Sequence, residues 1–89
     1  MQVREVVVVN RLGLDAPSCA KIVETASRFC CEVSLTVRGQ RASAHSIVAV
    51  TLLSASAGDV VRLEVDGPEE SRAICEIAAL FDNGFQERL

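Results

Sequence analysis

The chain has 89 residues, a net charge of −3, an apolar fraction of 49%, three Phe and neither Trp nor Tyr. That length suits one domain whose core lies near the lower limit of self-sufficiency. An acidic balance and strands without aromatics argue against nucleic acid, and no apolar run approaches the width of a bilayer, which argues against a membrane.

The N-terminal residues lack the basic-then-apolar pattern of a secretion signal, so the cytoplasm is the expected compartment. Cys19, Cys30, Cys31 and Cys75 have no Cys-x-x-Cys spacing, so no metal and no cofactor is expected. Reduced thiols are expected in such a compartment, with Cys19 and Cys75 serving as small buried hydrophobes.

Residues 2–9 are rich in β-branched side chains and predict a strand. Gly13, Asp15 and Pro17 then interrupt the pattern. Asp15 has the chemistry of an N-cap, since its carboxylate accepts from N–H groups two or three residues on. Pro17 fits the first turn of a helix over residues 16–27. Cys19, Ile22, Val23 and Ala26 follow helical spacing, with Phe29 closing the core edge. Lys21, Glu24, Thr25 and Arg28 would form the solvent face.

Strict alternation comes next. Val33, Leu35 and Val37 point one way, and Glu32, Ser34 and Thr36 the other. Arg38-Gly39-Gln40 supplies a turn into a short strand over residues 41–44. Ser46 caps a short helix over residues 47–53, and a small-residue loop follows over residues 54–58. Residues 59–66 alternate again, with Val61, Leu63 and Val65 inward. Asp66-Gly67-Pro68-Glu69-Glu70 combines a cap candidate, an early proline and acids at the positive end of a helix. That helix carries Ala73, Ile74, Ile77, Ala78 and Phe81 on one face; Asn83-Gly84 ends it, with Phe85 folding back. The order β-α-β-β-α-β-α gives an α+β fold, a four-stranded antiparallel sheet with three helices on one face. Periodicity alone also permits other split β-α-β domains, among them ligand-binding regulatory and RNA-binding ones.

The segment Asn10-Arg11-Leu12-Gly13-Leu14-Asp15-Ala16 resembles the active-site segment of the HPr family, the histidine-containing phosphocarriers of the bacterial sugar phosphotransferase system. Arg41-Ala42-Ser43-Ala44-His45-Ser46-Ile47 and Ala79-Leu80-Phe81 carry the same resemblance. It covers essentially the whole chain and implies one HPr-like domain over residues 1–89, an open-faced β-sandwich. It also implies a protein that is not an enzyme. In the family, a histidine at the place of Asp15 takes phosphate from Enzyme I and hands it to sugar-specific components. An arginine stands there at the place of Pro17. With both replaced, nucleophile and side-chain cation are missing. The resemblance then implies a regulatory or adaptor protein that binds proteins of the phosphotransferase system, or transcriptional or metabolic regulators. The alternative is a working phosphocarrier that accepts phosphate from Enzyme I at Asp15 or elsewhere.

Asp15 has three readings: a helix cap, an acceptor forming an aspartyl phosphate, or a fixed charge that partly mimics the phosphorylated state. Known aspartyl-phosphate sites generally bring a metal and a lysine, and no acidic cluster near Asp15 suggests magnesium. The family's docking surface corresponds to Ala16, Ala20, Ile47, Val48, Thr51 and Leu52. Glu24, Ser27 and Ala49 stand where basic side chains are common, and Glu24 would oppose an acidic partner. Ile47 and Val48 equally suit a half-buried helix face. Ser46 matches the serine modified in many members by HPr kinase/phosphorylase, and it equally suits a plain N-cap. His45, the single histidine, reads as an exposed surface residue.

Overall fold

The computed structural model describes residues 1–86. Its elements are β1 (Gln2–Val7), α1 (Ala16–Ser27), β2 (Glu32–Val37), β3 (Gln40–Ser43), α2 (Ile47–Leu52), β4 (Val60–Asp66) and α3 (Glu70–Asp82), then a 3-10 turn over Gly84–Gln86. The strands form one antiparallel sheet in the order β1-β4-β2-β3, the open-faced arrangement that the family resemblance implies.

Side-chain alternation fixes the register, because a slip of one residue would turn every apolar side chain to the wrong face. Leu35 lies opposite Leu63 on β4 and Ala42 on β3, Val33 opposite Val65, and Val6 opposite Val61. These residues join Cys19, Ile22 and Ala26 of α1, Val50 of α2, and Ala73, Ile74, Ile77, Ala78 and Phe81 of α3 in one core. Phe85 follows Gly84 with φ 57° and meets Phe81 edge-on, ring centroids 4.9 Å apart. The β2–β3 hairpin turns on Arg38 (φ 50°) and Gly39 (φ 79°), the positive pair that matches strand twist in a two-residue turn. The Arg38 guanidinium donates to the Leu53 carbonyl at 2.7 Å and pairs with Asp59, tying the hairpin to the α2–β4 loop.

Several expectations are corrected. β1 stops at Val7 because Val8 bonds outside the ladder: its N–H donates to Asp59 O at 3.0 Å, and its carbonyl accepts from Gly58 N–H at 2.7 Å. β3 begins one residue earlier than the alternation suggests, α2 ends at Leu52, and β4 starts at Val60. Thr25 is buried, since α1 packs against both α2 and α3. Cys75 is exposed, one position off the buried face of α3, whereas Cys31 takes a buried place. Cys31 sits so close under Gly67 that a Cβ there would lie 2.8 Å from its Cα. Asp66 does not cap α3. Glu69 occupies the N-cap without a side-chain bond, and the Glu70 carboxylate accepts the Gly67 N–H at 3.3 Å. Ser34 faces away from the core as expected, yet its neighbours bury it.

Phe81 is fully buried where α3 and the final turn converge. Phe81→Ala is expected to lower unfolding free energy by about 3–5 kcal/mol in urea titration. A loss under about 1 kcal/mol would contradict this placement of the core.

Candidate functional site

The loop between β1 and α1 is strapped down at three points. The Asn10 side chain is buried and donates to Gly84 O at 2.8 Å. The Gly13 N–H donates to Asn10 O at 3.1 Å, and the Leu14 N–H to Ala55 O at 2.9 Å. Gly13 has φ +71°, and a Cβ there would lie 2.3 Å from Ala55 O. Both the backbone angle and the close approach therefore require glycine.

This loop delivers Asp15 to the N-cap of α1 with extended backbone (φ −78°, ψ 179°). Its Oδ1 accepts the Ser18 N–H at 3.0 Å, and its carbonyl accepts the Cys19 N–H at 3.0 Å. Hydrogen bonding from Ser18, by its side chain first and its backbone second, holds the Asp15 carboxyl below the ordinary carboxylate range; Lys21 adds a smaller pull. The carboxylate is thus ionised at neutral pH and already takes one of the open N–H groups of the helix start. Pro17 stands exposed in the first turn and offers no charge. The Lys21 ammonium is engaged by the Phe85 carbonyl at 2.5 Å. Burial pushes the Cys19 thiol up, so it is no nucleophile at neutral pH.

Ser46 caps α2, its Oγ accepting the Ala49 N–H at 3.2 Å. His45 is exposed, with Nε2 2.9 Å from the Cys31 carbonyl, so that nitrogen carries the proton. Among the described residues, no group of three or more His, Cys, Asp or Glu side chains is placed to hold a metal ion.

α1 and α2 pack together and leave apolar side chains uncovered: Ile47 is 46% exposed, Val48 66% and Leu52 72%. Ala16, Ala20, Glu24 and Thr51 on the same two helices are also exposed, and the Thr51 hydroxyl is spent on the Ile47 carbonyl at 2.7 Å. Sequence reasoning missed Leu12, the most exposed of these apolar residues at 77%. Its signal was a bulky apolar side chain in a polar loop, next to Gly13. Exposed apolar clustering of this kind marks interaction surfaces.

A four-stranded antiparallel sheet with helices on one face, and a capped helix start beside an exposed apolar helix face, define the class of small α+β domain to which this chain belongs. A family model described as the PTS HPr component phosphorylation site matches residues 2–83. The phosphocarrier protein HPr of Xylella fastidiosa is 42% identical over 83 residues, 93% of each chain. HPr-C-His from Thermoanaerobacter tengcongensis superposes with a TM-score of 0.94 at 31% identity over 100% of both chains. The Bacillus subtilis catabolite repression containing protein Crh, solved as a swapped dimer, is 32% identical with a TM-score of 0.75, covering 94% of this chain and 97% of that one. The chain belongs to the HPr family, whose members carry phosphate and are not enzymes. No helix among the described residues is long and apolar enough to cross a membrane.

Asp15→Ala is expected to cost about 1 kcal/mol at neutral pH, while Asp15→Asn, itself a good cap, retains most of the stability. The native carboxyl titrates below its unfolded value of 3.8. Its charge-dependent contribution is therefore complete above that pH and fades as pH falls through the lower native value. Urea titrations across the acid range should show the gap between wild type and Asp15→Ala narrowing only below pH 3.8. A gap that stays constant down to full protonation would contradict the contribution of the carboxylate's charge to the cap.

Proposed function

We propose that this HPr-family chain is a regulatory or adaptor protein that works by binding other proteins and does not relay phosphate. The observation that carries the reading is the Asp15 carboxylate seated on the Ser18 N–H at 3.0 Å. By the family resemblance, position 15 is where an imidazole would accept phosphate. A carboxylate there repels the incoming phosphoryl group and competes for the same helix donors. Pro17 supplies no balancing cation, and Glu24 on the exposed face of α1 opposes an acidic docking partner.

In this reading the whole chain, residues 1–89, acts in the cytoplasm as one domain. The helix start and the exposed Leu12, Ala16, Ala20, Ile47, Val48, Thr51 and Leu52 form the binding face. Its partners are proteins of the phosphotransferase system or transcriptional or metabolic regulators. A phosphate added to Ser46 by HPr kinase/phosphorylase would sit at the N-terminus of α2 inside this face and change its charge. The similarity to Crh, named for catabolite repression, supports a regulatory role. The phosphorylation-site family match supports the second reading, a carrier that uses Asp15 or another acceptor.

One experiment separates the two. The chain is incubated with phosphoenolpyruvate and Enzyme I beside a histidine-bearing HPr, and intact masses are read at neutral pH. The expected result is a phosphoryl gain on the companion protein and none on this chain. A hydroxylamine-sensitive or acid-labile phosphoryl adduct on this chain would overturn the proposal.

A further inference from the structure

We propose that the sheet face opposite the helices holds a second site, a groove that binds a free α-amino acid. The groove has a volume of about 420 Å³, within the range of small-molecule pockets. Ser34 on β2 lines it, opposite Ser43 on β3 and Glu64 on β4. Ser34 is only 6% exposed, and its Oγ has no hydrogen-bond partner among the described residues. A hydroxyl left this way is unfavourable, and alanine would fill the same place without that cost.

Around Ser34 the groove collects charge that the fold does not use. Glu32 and Arg41 line it, and neither side chain makes a hydrogen bond or ion pair among the described residues. The Glu64 side chain is 17% exposed and has only a loose pair, with Arg62 Nε at 3.9 Å. His45 Nε2 is committed to the Cys31 carbonyl, and Ser43 Oγ to the His45 N–H at 3.1 Å. Met1 and Asp66 also line the groove, with the Met1 ammonium 3.0 Å from Glu70 and 3.8 Å from Asp66. Beyond these, two carboxylates and a hydroxyl remain to accept, and one guanidinium to donate.

The register arranges these groups in rows across the sheet. Glu32 shares a row with Asp66, Ser34 sits between Ser43 and Glu64, and Arg41 pairs with Thr36. At about 3.3 Å per residue along a strand, the acidic row and the Arg41 row lie about 13 Å apart at the backbone, and the long Arg41 side chain shortens the gap. A ligand there would place an ammonium between Glu32 and Glu64, with Ser34 Oγ accepting from it, and a carboxylate on Arg41. Other ligand classes fit less well. The carboxylates are not clustered closely enough for a metal ion. A phosphate would face them directly, and a neutral sugar would desolvate Glu32 and Arg41 without neutralising either.

The test is an amide NMR titration of the full chain with each proteinogenic L-amino acid in turn, and with n-propylamine and propionate as the two half-ligands. At least one amino acid should give saturable shifts confined to residues 32–34, 41–45 and 64–66, binding about tenfold or more tightly than either half. Arg41→Gln should reduce that affinity to the level of propylamine, and Glu32→Gln to that of propionate. Both positions are exposed, so retained spectral dispersion will confirm folding of each variant. The proposal is overturned if no amino acid saturates, if a half-ligand binds as tightly, or if both variants bind undiminished.

Discussion

The first turn of α1 is held by one carboxylate, and the function proposed for this chain rests on that hydrogen bond. A helix start leaves N–H groups unpaired and carries partial positive charge, so it favours an anion. Here the anion is built in: Asp15 accepts the Ser18 N–H, and the loop delivering it depends on the left-handed turn at Gly13 against Ala55. In the proposed reading, what stabilises the helix also fills the place where a transient phosphate would gather its donors, so that local stability and phosphate relay would conflict at this position.

The two faces of the molecule have different chemistry for a physical reason. The helical layer covers one side of the sheet, but α2 still exposes Ile47, Val48 and Leu52, and the β1–α1 loop exposes Leu12. The other side follows the polar-out half of the alternation, as antiparallel sheets with one solvated face do. Ser34 departs from that rule: between β3 and β4 its hydroxyl is buried without a hydrogen-bond partner among the described residues. A protein partner suits the first face and a small charged ligand the second, so the two proposals stand or fall separately.

Much of this architecture was legible in the sequence because its signals are local. Alternation in Glu32–Val37 and Val60–Asp66 fixed the inward faces, and Asp15, Ser46 and Gly84 behave as their capping chemistry requires. What the sequence hid depends on contacts between distant segments. Thr25 is polar and sits on the nominal solvent side of α1, yet α2 and α3 close over that helix. Cys31 rather than Cys75 is buried because Gly67 lets two backbones approach. Arg38 takes a positive φ that glycine usually holds, secured by bonds to the distant α2–β4 loop. Within the candidate site, the cap position was readable, while the exposure of Leu12 and the engagement of Lys21 by Phe85 became visible only in the folded chain.

Phosphate flow through a reconstituted relay tests the proposed role of Asp15 most directly. Phosphoenolpyruvate, Enzyme I and a sugar-specific component are combined with this chain as the sole intermediate carrier, and sugar phosphate is measured over time. The expected result is no product above the reaction from which the chain is omitted. Sugar phosphate that accumulates only when the chain is present would show that a carboxylate can take the imidazole's place, and the adaptor reading would fall.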